Sequence, residues 1–211
     1  MKAQYNPPFI IKKIFPSFQW ESKVDKILLT FDDGPITETT PLILNLLSIH
    51  KIKAAFFCVG ENIGRYPDLY SRIKDEGHLV CNHTFNHQSI TKLNLAETEA
   101  QIEKFNNLIK NKSGEDVLYF RPPHGKFNLS TSSLLKEMNL KVVMWSLLTY
   151  DYKNDINIVK FAVRKYLERN SIIVLHDNLK SKDIILESIN YIVKESSRRG
   201  FQIGVPAECL K

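Results

Sequence analysis

The chain has 211 residues, 43% of them hydrophobic and 25% charged, with a formal net charge of +6. That length suits one domain with a substantial core and is too short for two ordinary ones, and no stretch approaches the ~20 apolar residues of a membrane span. The lysines are spread along the chain and no basic motif stands out, which argues against nucleic acid as a partner.

The N-terminal region carries Phe9-Ile10-Ile11-Lys12-Lys13-Ile14-Phe15-Pro16, an apolar patch that Lys12 and Lys13 interrupt. It lacks a small-residue cleavage site, so no signal peptide is read here. Residues 1–25 are expected to form an arm packed on the domain of residues 26–211. Cytoplasmic or cell-envelope association is the expected location. Cys58, Cys81 and Cys209 form an odd set without framework spacing, so no disulfide scaffold is expected.

Apolar runs with strand character recur at 27–31, 54–59, 78–82, 117–120, 141–146, 171–175 and 201–205. Helical signals lie between them. Thr40-Pro41 opens one helix with proline at its first turn, and a second, from Pro67, stops at Gly77. Asn94 with Glu97 reads as a capping box ahead of Ile102, Phe105, Leu108 and Ile109. Segments 131–139, 156–168 and 182–198 continue the alternation, which predicts a parallel α/β domain. Polar clusters follow the first, third, fourth, fifth and sixth strands. Contributions from so many strand tips favour a closed or nearly closed barrel over an open sheet with a single switch point.

The first cluster is Thr30-Phe31-Asp32-Asp33-Gly34-Pro35, where a buried run ends in two adjacent carboxylates. Their mutual repulsion calls for a cation or a proton. His83 and His87 supply nitrogen donors four residues apart, and a helical turn after the strand would present both rings on one face. Two His with one Asp, from either Asp32 or Asp33, leave positions open for water and substrate, as catalytic metals require. Cys81 shares the side of His83 in an extended chain and reads as an apolar filler; His50 reads as a helix-end residue and His78 as a strand-edge residue. Arg121-Pro122-Pro123-His124-Gly125 fixes a backbone turn whose N–H groups suit an oxyanion, and Arg121 can pair with one of the aspartates. Asp151, past the fifth strand, and His176, at the tip of the sixth, suggest an acid-supported proton donor.

Five motifs in order carry a resemblance over residues 26–206: Thr-Phe-Asp-Asp-Gly at 30–34, His-Thr-x-x-His at 83–87, Arg-Pro-Pro-x-Gly at 121–125, Asp-Tyr at 151–152 and Leu-His at 175–176. Together they resemble the polysaccharide deacetylases with the NodB homology domain, carbohydrate esterase family 4. The resemblance implies a distorted seven-stranded (β/α) barrel, TIM-barrel-like, that removes acetyl groups from N-acetylated sugars. It implies one divalent metal, usually Zn²⁺, with Co²⁺ or Ni²⁺ also accepted, on Asp33, His83 and His87. By the same resemblance Asp32 is the base, Arg121 orients and ionises it, and the backbone N–H at His124 joins the metal at the oxyanion. His176 is the acid, held by Asp151, and Tyr152 and Leu175 form the pocket for the acetyl methyl.

Three positions depart from the family pattern. His124 replaces a usual aromatic, Tyr152 stands where Trp is common, and Leu148 occupies a position that often carries Asp. None is an implied metal ligand, base or acid. Two other readings compete with a sugar deacetylase: an amidase or deformylase of a small non-sugar substrate on the same fold, and a non-catalytic carbohydrate-binding relative. The choice of sugar and the oligomeric state have no signature in the residues.

Overall fold

The computed structural model describes residues 4–210. Strands β1 (Lys26–Asp32), β2 (Ala55–Cys58), β3 (Leu79–Asn82), β4 (Tyr119–Phe120), β5 (Lys141–Val142), β6 (Leu147–Leu148) and β7 (Ile172–His176) pair in parallel in the order β5-β4-β3-β2-β1-β7-β6. A short β8 (Gln202–Ile203) pairs with the start of β1. Helices α1 (Phe9–Ile14), α2 (Thr40–Ile49), α3 (Gly60–Arg65), α4 (Pro67–Asp75), α5 (Leu95–Ser113), α6 (Leu129–Glu137), α7 (Ile156–Tyr166), α8 (Ile185–Arg198) and α9 (Pro206–Cys209) complete the described elements. The architecture is a distorted (β/α) barrel.

Period-two alternation sorts the strand residues between two layers. On β1, Ile27, Leu29 and Phe31 join the large core beneath the helices, with Ile43, Leu47, Ile189 and Ile192, whereas Leu28 faces a smaller inner core with Ala55, Phe57, Cys81 and Ile172. Six of the seven β1 residues are buried, as expected for a strand covered on both faces. The helix ends follow local chemistry. Pro41 and Pro67 sit in first turns, Asn94 and Glu97 form a reciprocal capping box, and Gly77 takes φ 76 beyond α4.

Residues 141–146, expected as one strand, instead hold β5 and a bend, and β6 follows at 147–148. The hydrogen bonds switch sides along this segment. The Val143 N–H donates to Phe120 on β4, and the Ser146 N–H donates to Ile172 on β7. This one bent stretch therefore carries the sheet from β4 to β7 and closes it.

The N-terminal arm fills the space that the bend opens. The Gln19 N–H donates to the Val142 carbonyl, and the Met144 N–H donates to the Gln19 carbonyl. Higher up, the Leu148 N–H donates to the Tyr5 carbonyl. Phe18 and Trp20 are buried with Phe120, Leu135 and Met144, and Phe15 and Phe127 pack against that cluster. The arm is thus bonded into the barrel wall. Residues 1–3 of the expected arm lie outside the described residues.

Candidate active site

Adjacent residues on a strand point to opposite faces, so two neighbouring aspartates should not share a cleft. Asp32 points inward with Leu28 and Thr30. Asp33 leaves the strand with φ 81, a left-handed conformation that Asp tolerates better than most residues. That turn brings both carboxylates to the same cleft, of about 210 Å³, which His83, His87, His124 and His176 also line.

His83 reaches it by the alternation that also points Cys81 inward. Its Nδ1 donates to the Arg121 carbonyl at 2.7 Å, which leaves Nε2 bare. The expected helical turn from His83 to His87 is absent. The segment is an irregular loop because Thr84 (φ 69) and His87 (φ 60) are both left-handed, and the Thr84 hydroxyl accepts from the His87 N–H. The loop nonetheless places His87 Nε2 3.0 Å from Asp33 Oδ1, with His83 Nε2 3.7 Å from the same oxygen. The other oxygen of Asp33 accepts from Asn178 Nδ2 at 2.6 Å.

These three residues offer one donor atom each within 4.8 Å of one another. The donor set fits a divalent ion: two imidazole nitrogens and one carboxylate oxygen, with a backbone carbonyl fixing one ring and an amide fixing the carboxylate. Burial lowers His83 to about 4, keeping it neutral, although Asp32 and Asp33 pull the other way. Burial acts to raise Asp33, but His87, His176 and His83 outweigh it and hold the carboxyl well below its usual range.

Asp32 is fixed from behind. Arg121, fully buried, donates from one terminal nitrogen to Asp32 Oδ1 at 2.6 Å and to Thr30 Oγ1 at 2.8 Å. Its Nε and second terminal nitrogen donate to the carbonyls of Val143 and Met144, each at 2.9 Å, while the guanidinium lies 3.9 Å above the Phe57 ring. With its donors so engaged the cation is held rigidly. Asp32 Oδ2 remains toward the cleft, 4.0 Å from His83 Nε2.

His176 is the register partner of Asp32 across β1 and β7. Its Nδ1 bonds Asp151 Oδ1 at 2.7 Å and its backbone N–H donates to Asp151 Oδ2 at 2.7 Å. Asp151 is fully buried and also accepts from the Thr149 hydroxyl. Burial acts to lower His176, but Asp151, by charge and hydrogen bond, and then Asp33 and Asp32 raise it to about 9. The ring is a cation at neutral pH, and Nε2 is the nitrogen left for the cleft.

The expected wall is partly different. Tyr152 packs edge-on against His176, with ring centroids 4.9 Å apart. Leu175, expected beside it, faces away into the core under the helices, and Val174 lines the cleft instead, because the strand alternates. Trp145 and Leu148 complete that side. His124 takes φ 58 and sets its ring 4.7 Å from that of His87. His78 is buried rather than at a strand edge, and its Nδ1 accepts from the Ala54 N–H. Sequence reasoning missed Asn178, Thr149 and Val174. The phase of β7 alone was enough to find Val174.

A family model described as polysaccharide deacetylase matches residues 21–143. The chain belongs to the polysaccharide deacetylase family. It is 35% identical over 152 residues to a peptidoglycan-N-acetylglucosamine deacetylase of Bacillus cereus, an alignment covering 72% of this chain and 55% of that protein. It is 25% identical over 214 residues to a chitooligosaccharide deacetylase of a Bradyrhizobium species, covering 95% and 96% of the two. Among solved structures, a peptidoglycan N-acetylglucosamine deacetylase in complex with an N-oxidanyl-benzamide superposes with a TM-score of 0.88 at 28% identity, over 96% of this chain and 97% of that one. The chain spans about half the length of the Bacillus cereus relative, and 34% of a Listeria monocytogenes peptidoglycan-N-acetylglucosamine deacetylase that it matches at 33% identity. Among the described residues, no helix is long and apolar enough to cross a membrane.

Proposed function

We propose that this chain hydrolyses the acetamido group of N-acetylated sugars in a polysaccharide or oligosaccharide, releasing acetate. The observation that carries the reading is the convergence on one cleft of Asp33, His83 and His87 with a carboxylate, Asp32, and an imidazolium, His176, on adjacent strands. The relatives whose names are peptidoglycan or chitooligosaccharide deacetylases support the substrate class.

Asp33, His83 and His87 would hold one divalent ion, Zn²⁺ by the family resemblance. Such an ion supplies Lewis acidity, which lets water ionise near neutral pH and withdraws charge from an amide carbonyl. Asp32 accepts the proton of the attacking water at Oδ2, because Oδ1 is occupied by Arg121. The turn fixed by Pro122 and Pro123 offers the His124 backbone N–H to the developing oxyanion. An amine leaves only when protonated, and His176 delivers that proton from Nε2 while Asp151 holds the ring. Val174, Trp145, Leu148 and Tyr152 give the acetyl methyl an apolar wall.

The test is acetate release across a panel of N- and O-acetylated sugars, with chelator and after Zn²⁺ restoration. Release from N-acetylated substrates that chelator abolishes and metal restores is the expected result. Full activity in metal-stripped protein, or silence on every N-acetylated sugar with metal bound, would overturn it.

A further inference from the structure

At the tip of β7, His176 and Asn178 line the cleft, but Asp177 between them is sealed at 0% exposure. Its carboxyl oxygens accept from the hydroxyls of Thr39 and Thr40, at 2.5 and 2.6 Å, and both threonines are fully buried at the start of α2. Its backbone N–H donates to the Asp32 carbonyl at 2.8 Å. Burial, and to a lesser degree the charge of Asp33, push this carboxyl up to about 7 against the two hydroxyls. A carboxyl buried without a cation beside it disfavours folding, so stability alone does not account for its place.

The turn at Asp33 and Gly34 rests on this group. A Cβ added to Gly34 would overlap the Asp177 carboxyl, so no side chain fits between them. Thr40 Oγ1, while donating to Asp177, accepts from the Ile36 N–H at 2.7 Å and so fixes the chain just past the turn. The other side is held as well. Asn62 Nδ2 donates to the Asp33 carbonyl at 2.8 Å, and the Val59 N–H donates to the Gly34 carbonyl at 2.9 Å. A left-handed aspartate is uncommon and persists where its surroundings over-determine it. Asp33, with φ 81, sits in such a frame, and Asp177 is the wall beneath it.

We propose that Asp177 is a positioning residue for Asp33, setting the backbone turn that carries its carboxylate to His83 and His87. The inference rests on the reading of those three residues as metal ligands. Asn178 does not duplicate the role, because it bonds the far oxygen of the carboxylate and leaves the backbone alone. Without the Asp177 side chain the turn gains room to relax toward extended φ, which swings the carboxylate away from the two imidazoles. Asp177 also follows His176 directly, and its N–H bonds the residue before Asp33. One residue therefore ties the turn that would hold the metal to the strand tip that bears the proton donor.

The test measures Zn²⁺ affinity by competition with a chromophoric chelator, together with the visible spectrum of the Co²⁺-loaded protein. Asp177→Ala should lower the affinity by about tenfold or more and alter the Co²⁺ bands. Asp177→Asn fills the same space and can accept from Thr40 while donating to Thr39, so its affinity should stay within about threefold of wild type. Thr39→Val approaches the contact from the other side, keeping shape and Asp177 but removing one donor, and should cost about tenfold in affinity. Combined with Asp177→Ala it should add nothing, since both changes act through one contact. If Asp177→Ala does not fold, Thr39→Val decides alone. Folded variants with a lowered melting temperature but unchanged affinity and Co²⁺ bands would mark a mere brace on α2 and overturn the proposal. Wild-type protein that takes up no Zn²⁺ would overturn the ligand reading itself, and this inference with it.

Discussion

Two buried ion pairs flank the cleft, and they are built in opposite senses. In Arg121–Asp32 the cation is sealed, with 0% exposure, and the anion meets the cleft. In Asp151–His176 the anion is sealed and the cation meets the cleft. Each sealed partner is anchored by further hydrogen bonds, to Thr30 and two carbonyls for Arg121 and to Thr149 and a backbone N–H for Asp151. The partner that meets the cleft is thereby held to one orientation, so the carboxylate proposed as proton acceptor and the imidazole proposed as proton donor stand on neighbouring strands. A buried pair is weak evidence for stability; the arrangement makes better sense as positioning.

The comparison breaks most completely if the centre between the pairs is lost. Asp33→Ala should release the metal, read by elemental analysis, and lower turnover by on the order of 10⁴-fold. Asp32→Asn should retain metal and lose about 10³-fold, since the amide accepts no proton; retained metal with retained rate would remove Asp32 from the role of base. Asp151→Asn attacks the other pair, with an expected loss of about 10²-fold. It also has a pH signature. With His176 raised to about 9, the active imidazolium persists through neutrality and turnover falls as pH rises through that value. Without Asp151 the same limb should move to lower pH, as a pH–rate profile would show. The stabilisation from this pair follows the same sign: complete below the ordinary histidine value and lost as pH rises through about 9. The smallest effect is expected from Asn178→Ala, about tenfold in metal affinity, because it removes the bond that orients the Asp33 carboxylate through Oδ2 without deleting a ligand.

Most of the framework was legible because the signals were local. Apolar runs ending in Gly-Pro or Arg-Pro-Pro located the strands and their tips, and proline and capping residues opened α2, α4 and α5. The residues brought to the cleft were legible because each follows a strand directly. What escaped depended on backbone angles or on distant partners. No residue pattern announces that Thr84 and His87 turn left-handed, so the His83–His87 spacing suggested a helix. Residues 141–146 read as one uninterrupted strand, and the change of neighbours along that stretch is set by β4, β7 and the arm. Leu175 was misplaced by one residue of phase. Asn178 sits in a loop, where periodicity says nothing.

The bonds between the arm and the bent segment also bear on how the chain is made. Tyr5 and Gln19 precede their partners at Leu148 and Val142 by more than a hundred residues. Until those partners are made, Ile11, Phe15 and Phe18 have no wall to join, and contacts of such sequence separation form slowly. During vectorial synthesis the arm is therefore made well before the wall it joins, and the barrel can lock only once β6 has emerged.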